Sequence, residues 1–239
     1  MNEYLRGTRH PFTCLLFVLP LLLTYEIGAV ALAGSSGEGI RNGADAWLRS
    51  QLTAYGINFA WTAPILVVAF LVFRCAWEWG GRPKQPFAVC FGMFIECAVL
   101  STLIWALSRN FYPLLEQAGV PLNQIQFKPV ATGQVIQFLG AGIYEEVLFR
   151  VGLFGVMYLL VRLTLMPKLF AILLAGVGAA LVFSAAHHWG DHGEAMNTAK
   201  FLFRTAAGLV FTAIYVTRGL GVAVGTHAGY NILVGVSVA

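Results

Sequence analysis

Charge is what this sequence has least of. Asp, Glu, Lys and Arg make up 11% of its 239 residues, against about a quarter in a soluble domain, and that shortage excludes an ordinary water-soluble globular chain. A basic stripe is also missing. The residues behind the net charge of +4 stand singly at the ends of apolar runs, so no nucleic-acid partner is implied. Cysteine is scarce: Cys14, Cys75, Cys90 and Cys97 all lie in apolar runs without metal-ligand spacing, and read as reduced, small hydrophobes. Two further absences narrow the classes that remain. No H-E-x-x-H signature of a zinc peptidase occurs, and no internal repeat of the kind transporters carry is visible.

Apolar sequence is there in quantity: 58% of the residues are hydrophobic and the mean hydropathy is +0.74. Runs of about 20 apolar residues, enough to cross a hydrocarbon core of roughly 30 Å, recur along the whole chain. The expected fold is all-α: a polytopic transmembrane helix bundle of about seven spans, within a range of six to eight, forming one domain over residues 1–239. The runs cover 11–33, 57–77, 87–107, 132–162, 168–188, 198–217 and 219–238. The first ends in "ALAG", which resembles a secretory cleavage site, but it exceeds the usual h-region length and is read as a retained helix. After the Gly/Ser break "GSSGEGIRNG", the piece "ADAWLRSQL" reads as a short amphipathic helix lying in the interface. The fourth run is too long for one straight helix and is expected to tilt, to break near Gly152 or Gly155, or to contribute an interfacial extension. The Lys/Arg bias, led by Arg6 and Arg9, favours a cytoplasmic N-terminus, and the expected location is a bacterial cytoplasmic membrane.

Three polar islands interrupt the apolar runs. In "GAGIYEEVLFR", Glu146 and Arg150 are four apart on one helical face and can neutralise each other, while Glu145 is turned by about 100° and points elsewhere. "FSAAHHWGDHGE" puts Phe183 and His187 on one face, followed by His188, Asp191, His192 and Glu194. "THAGYN" puts His227 and Asn231 four apart in the last run. Each island alone has a plainer reading: a buried ion pair, solvated loop histidines, polar contacts that fix helix packing. Together they form a hydrolase inventory, with a carboxylate and a histidine to activate water and a His/Asn donor pair to receive an oxyanion. Zinc held by His187, His188 and His192 is the metal alternative.

Glu145-Glu146-x-x-x-Arg150, Phe183-x-x-x-His187 and His227-x-x-x-Asn231, in that order at the ends of apolar runs, resemble the three motifs of the CPBP family. That family comprises CAAX prenyl proteases of the Rce1 type, bacteriocin-processing proteins and abortive-infection-like membrane proteins. The resemblance covers about residues 130–235. It implies a membrane endopeptidase in which Glu145 and His187 activate water, His227 and Asn231 form the oxyanion hole, and Glu146, Arg150 and Phe183 support the site. It also implies metal-independent glutamate chemistry, although a metalloprotease mechanism was once favoured for the family. One departure is visible: the family often has Gly directly after the motif arginine, and here Val151 precedes Gly152. The partners implied are the lipid bilayer and a peptide or protein substrate, lipidated or membrane-associated, with no cofactor. A transporter or scaffold is the reading from another class, and Glu26 and Glu96 supply material for a proton relay.

Overall fold

The computed structural model describes residues 3–33, 41–119, 132–189 and 193–236, which are built of helices, with no strand among them. The chain runs through α1 (Glu3–Arg9), α2 (Pro11–Ala31), α3 (Gly43–Ala54), α4 (Thr62–Trp77) and α5 (Pro86–Gln117). Next comes α6 (Thr132–Gly140), which continues through two π-helical stretches, Ala141–Glu145 and Val147–Phe154, into α7 (Gly155–Leu163). Three more helices complete it: α8 (Lys168–Ala186), α9 (Thr198–Arg218) and α10 (Leu220–Val236). Four of these, α2, α5, α8 and α9, are long and apolar enough to cross a membrane, and α4 and α10 are shorter apolar helices.

Local chemistry sets many of the boundaries. Proline occupies the first turn of α2 and α5, where its missing N–H costs nothing. Asn42 and Asn197 cap α3 and α9 by accepting from the N–H groups of Ala44 and Lys200. Gly219, at φ +93°, makes the tight turn from α9 into α10, and a Cβ there would lie 2.9 Å from the Thr8 carbonyl oxygen.

Several sequence expectations shift. The third apolar run, expected over 87–107, is part of a longer helix, Pro86–Gln117, and the second starts later, at Thr62. The overlong fourth run does not break. It absorbs its length in the i→i+5 stretches and returns to α geometry at Gly155. The segment "ADAWLRSQL" differs most from expectation. Trp47 is exposed, but α3 turns its charged side inward and buries Asp45 completely, because two arginines and a second carboxylate from α2 meet Asp45 there.

The packed interior joins Cys14, Val18, Leu22 and Tyr25 of α2 to Val67 and Leu71 of α4, Ile143 and Tyr144 of the first π stretch, and Val224 of α10. A second cluster links Met93 and Cys97 to Phe211 and Val222. Leu23, Ile27, Phe91, Phe94, Leu173 and Leu174 point outward. Such an apolar exterior suits a helix bundle whose surrounding solvent is lipid.

Helix α10 packs against α5, α9, α2, α6 and the first π stretch, so it is the element on which the site is assembled. Its approach to the π stretch is close: a Cβ on Gly142 would lie 2.7 Å from the Val224 carbonyl oxygen and 2.9 Å from the Ala228 nitrogen. Since backbone cannot yield as a flexible side chain does, Gly142→Ala is expected to destabilise the fold by about 1–3 kcal/mol. A lower thermal midpoint in detergent, measured beside Gly152→Ala, where the nearest atom is 3.6 Å away, checks this.

Candidate active site

Adjacent glutamates face different partners because consecutive helical positions diverge. Glu145, 8% exposed, directs Oε2 to within 4.0 Å of His187 Nε2 and 3.8 Å of His227 Nε2. Glu146, fully buried, accepts from His227 Nδ1 at 2.8 Å and lies 3.1 Å from Arg150 Nε. One imidazole therefore stands between the two carboxylates, its two nitrogens divided between them. Both glutamates sit at the junction of the π stretches, and π-helical turns inside α-helices occur often at functional sites.

Arg150 is 1% exposed and belongs to Glu146 by charge. Although the pair is only 3.1 Å apart, Arg150 Nε and Glu146 Oε2 lack hydrogen-bond alignment, so the attraction is coulombic and not a directed bond. The guanidinium is flanked by Phe183 at 4.8 Å and Phe211 at 5.6 Å from the ring centroids, and Nη2 reaches the Gly208 carbonyl at 3.5 Å. Phe211 also stacks on His227 at 4.4 Å, and Phe183 makes edge contacts with His187 and His227. These two phenyl rings form the walls that hold both histidines and the arginine.

The histidine tautomers follow from their partners. His187 Nδ1 is 2.8 Å from the Phe183 carbonyl oxygen, which only accepts, so Nδ1 carries hydrogen. His227 Nδ1 faces the Glu146 carboxylate in the same way. In the neutral rings both Nε2 atoms are then acceptors, as is Glu145 Oε2. Acceptors 3.8 and 4.0 Å from Oε2 cannot bond it directly, but a water molecule can donate to Oε2 and one of them at once.

The structure thus brings Glu145, Glu146, Arg150, Phe183, His187 and His227 together. Asn231 lies one turn beyond His227 in α10, half-buried, and its side chain makes no hydrogen bond to a described residue. His188 turns away, its Nδ1 3.0 Å from the Glu194 carbonyl oxygen; His192 and Asp191 lie outside the described residues. Among the described residues no group of three or more His, Cys, Asp or Glu side chains is arranged to hold a metal ion. The relay candidates are neutralised in separate places. Glu96 pairs with Arg218 and accepts from Tyr4, while Glu26 pairs with Arg41 and Arg49.

Sequence reasoning missed the support that α2 and α3 supply. Tyr144, next to Glu145, donates to Glu26 at 2.7 Å, Tyr25 donates to Asp45 at 2.8 Å, and Asn42 Nδ2 donates to Glu145 Oε1 at 3.0 Å. Asn42 has a legible cap signature, Asn before a helix start, but nothing in its own segment points to a residue 103 positions away. Beyond His187, Glu194 ties the loop to α9 through Lys200 at 2.7 Å and Arg204 at 2.8 Å. Burial would raise the Glu194 carboxyl, but the hydrogen bonds and charges of Arg204 and Lys200 outweigh it and hold it down at about 2, against an ordinary 4.5.

The protein is an all-helical membrane protein with a buried carboxylate between two histidines. The match to known proteins is more specific: residues 128–233 fit the family model described as Rce1-like, type II CAAX prenyl endopeptidase. This places that segment in the CPBP/CAAX protease family, as the three motifs implied, and supports a CAAX-protease-like intramembrane endopeptidase. No curated protein and no solved structure matches the chain.

Removing one member of a buried ion pair strands the other charge. Glu146→Gln is therefore expected to cost about 3–5 kcal/mol, while Glu146→Gln combined with Arg150→Met regains a large part of it; thermal midpoints of the three proteins in one detergent test this. The Glu194 anchor gives a pH dependence of defined sign. Its folded value is depressed, so its contribution is present above pH 4.5 and is lost as pH falls toward about 2. Wild type should lose more thermal stability across that window than Glu194→Gln.

Proposed function

We propose that the chain is an intramembrane endopeptidase in which Glu145 and His187 activate a water molecule and His227 and Asn231 stabilise the oxyanion. The observation that carries this reading is the convergence of Glu145 Oε2 on the Nε2 atoms of His187 and His227, at 4.0 and 3.8 Å. A water bound there attacks the scissile carbonyl carbon as Glu145 takes its proton. The carbonyl π bond opens onto oxygen, and the tetrahedral intermediate collapses when that proton is delivered to the leaving amine nitrogen. Because His227 Nδ1 is committed to Glu146, Nε2 is the atom through which His227 faces the oxyanion. Asn231 supplies the second donor, which its lack of a partner among the described residues supports.

The substrate class follows from the surroundings of the site. A carboxylate buried within apolar helices favours a peptide already at the membrane, and the family description favours a lipid-bearing one. Glu26 and Glu96, each held in an ion pair, suit structural roles better than a proton relay.

The test is cleavage of a farnesylated CAAX-type peptide and its unprenylated counterpart by purified protein in detergent, with the thermal midpoint of every variant recorded. Glu145→Gln should fold and cleave neither, since the amide keeps the shape but takes no proton. Asn231→Ala should keep its midpoint and lose on the order of 10² to 10³ in kcat, as expected when a single oxyanion donor is removed. Near wild-type turnover in Glu145→Gln would overturn the water-activation role. A lowered midpoint with unchanged kcat would return Asn231 to helix packing.

A further inference from the structure

Asn42 lies outside the matched segment and outside all three motifs, yet its amide is the described hydrogen-bond donor that reaches Glu145. Both ends of that amide are assigned. Oδ1 accepts the Ala44 N–H at 2.8 Å as the cap of α3, and Nδ2 donates to Glu145 Oε1 at 3.0 Å. The orientation is determined by chemistry, because a carboxylate only accepts and a backbone N–H only donates, so a flipped amide would lose both bonds. The backbone N–H of Asn42 donates in turn to Tyr25 Oη at 3.0 Å.

The residue is also held in place. Arg41, its neighbour, pairs with Asp45 at 2.7 Å and Glu26 at 3.2 Å. Arg49 pairs with the same two carboxylates at 2.6 and 3.2 Å. Glu26 accepts from Tyr144, the residue before Glu145. Two tethers therefore reach adjacent residues of the first π stretch: Asn42, the cap of α3, holds the Glu145 carboxylate, and Glu26 of α2, paired with Arg41 and Arg49, holds the Tyr144 hydroxyl.

We propose that Asn42 is a positioning residue for Glu145, binding Oε1 so that Oε2 alone faces His187 and His227 and alone carries the transferred proton. The inference rests on the reading of Glu145 as the group that accepts a proton from water. A free carboxylate rotates about its terminal bond and presents either oxygen. With Oε1 tied to an N–H that cannot receive a proton, the proton taken from water resides on Oε2, where it can pass to the leaving nitrogen. The bond suits both states of Glu145: in the carboxylate Oε1 is an anionic acceptor, and after proton transfer to Oε2 it is the carbonyl acceptor. The N-terminal part of the chain, which carries none of the motifs, then contributes directly to the geometry of the reacting oxygen.

The dual use of the amide provides the test. Asn42→Ser and Asn42→Asp both keep a good helix cap but remove the donor to Glu145. Both should retain the wild-type KM and lose on the order of 10²-fold in kcat on the farnesylated CAAX-type peptide, the cost of a misplaced reacting group; Asn42→Ser should keep a midpoint above that of Asn42→Ala, while Asn42→Asp, whose carboxylate faces Glu145, should lower it. Asn42→Ala should lose both midpoint and kcat. Unchanged kcat in the Ser and Asp variants, with Glu145→Gln inactive, would overturn the positioning role and leave the proteolytic reading intact. A second readout needs no substrate. In protein labelled with 15N-asparagine, one of seven asparagine side-chain amides disappears in Asn42→Ser and is thereby assigned, and it should shift in Glu145→Gln as its partner loses charge. If wild type cleaves neither peptide, the proteolytic reading fails. That amide then decides the contact alone: a shift upholds Asn42 as the residue holding Glu145, and an unmoved signal overturns it.

Discussion

A guanidinium inside an apolar bundle must have a counter-charge, and the fold of this protein is arranged around meeting that requirement at Arg150. Glu146 provides it from the same helix, and Glu146 in turn holds His227 of α10. Phe183 of α8 and Phe211 of α9 close over the guanidinium on its remaining sides. Four helical segments are thus committed to one buried charge. Packing alone gives little specificity where both the helix faces and the surrounding lipid are hydrocarbon, and a desolvated ion pair with fixed partners selects one arrangement of helices over others that bury the same apolar area.

The site inherits its geometry from that arrangement. His227 reaches Glu145 through Nε2 because its Nδ1 is already committed to Glu146. The π-helical junction keeps both glutamates within reach of one imidazole. Gly142 lets α10 approach closely enough for this to happen. The Glu146–Arg150 ion pair and the Glu145–His227 approach therefore share one histidine, so changes aimed at one will be felt at the other.

A second group of charges anchors the opposite side. Glu26, Arg41, Asp45 and Arg49 pair two acids with two bases, and the buried hydroxyls of Tyr25 and Tyr144 extend the network to the π stretch. Neutrality within the group explains how so many ionisable side chains are tolerated between α2 and α3. It also explains why the polar face of α3 turns inward: its partners there are fixed in geometry.

The amino-acid sequence by itself determined the all-helical membrane class, because a chain so poor in charge can satisfy its backbone in lipid only by helices or a closed barrel. It also determined that Glu146 would pair with Arg150 and that Glu145 would turn away, since helical periodicity relates residues four apart without knowledge of anything else. Much of the candidate site was legible for the same reason, as Glu146 and Arg150, Phe183 and His187, and His227 and Asn231 stand four apart in otherwise apolar runs. What the sequence did not contain was the relation between helices: which nitrogen of His227 meets which glutamate, that His188 turns away while His187 turns in, that α3 buries its charges, and that Asn42 reaches Glu145. Those contacts join residues up to 103 positions apart and depend on how closely and at what rotation the helices pack. Periodicity encodes the faces of a helix, but only the packed bundle decides which faces meet.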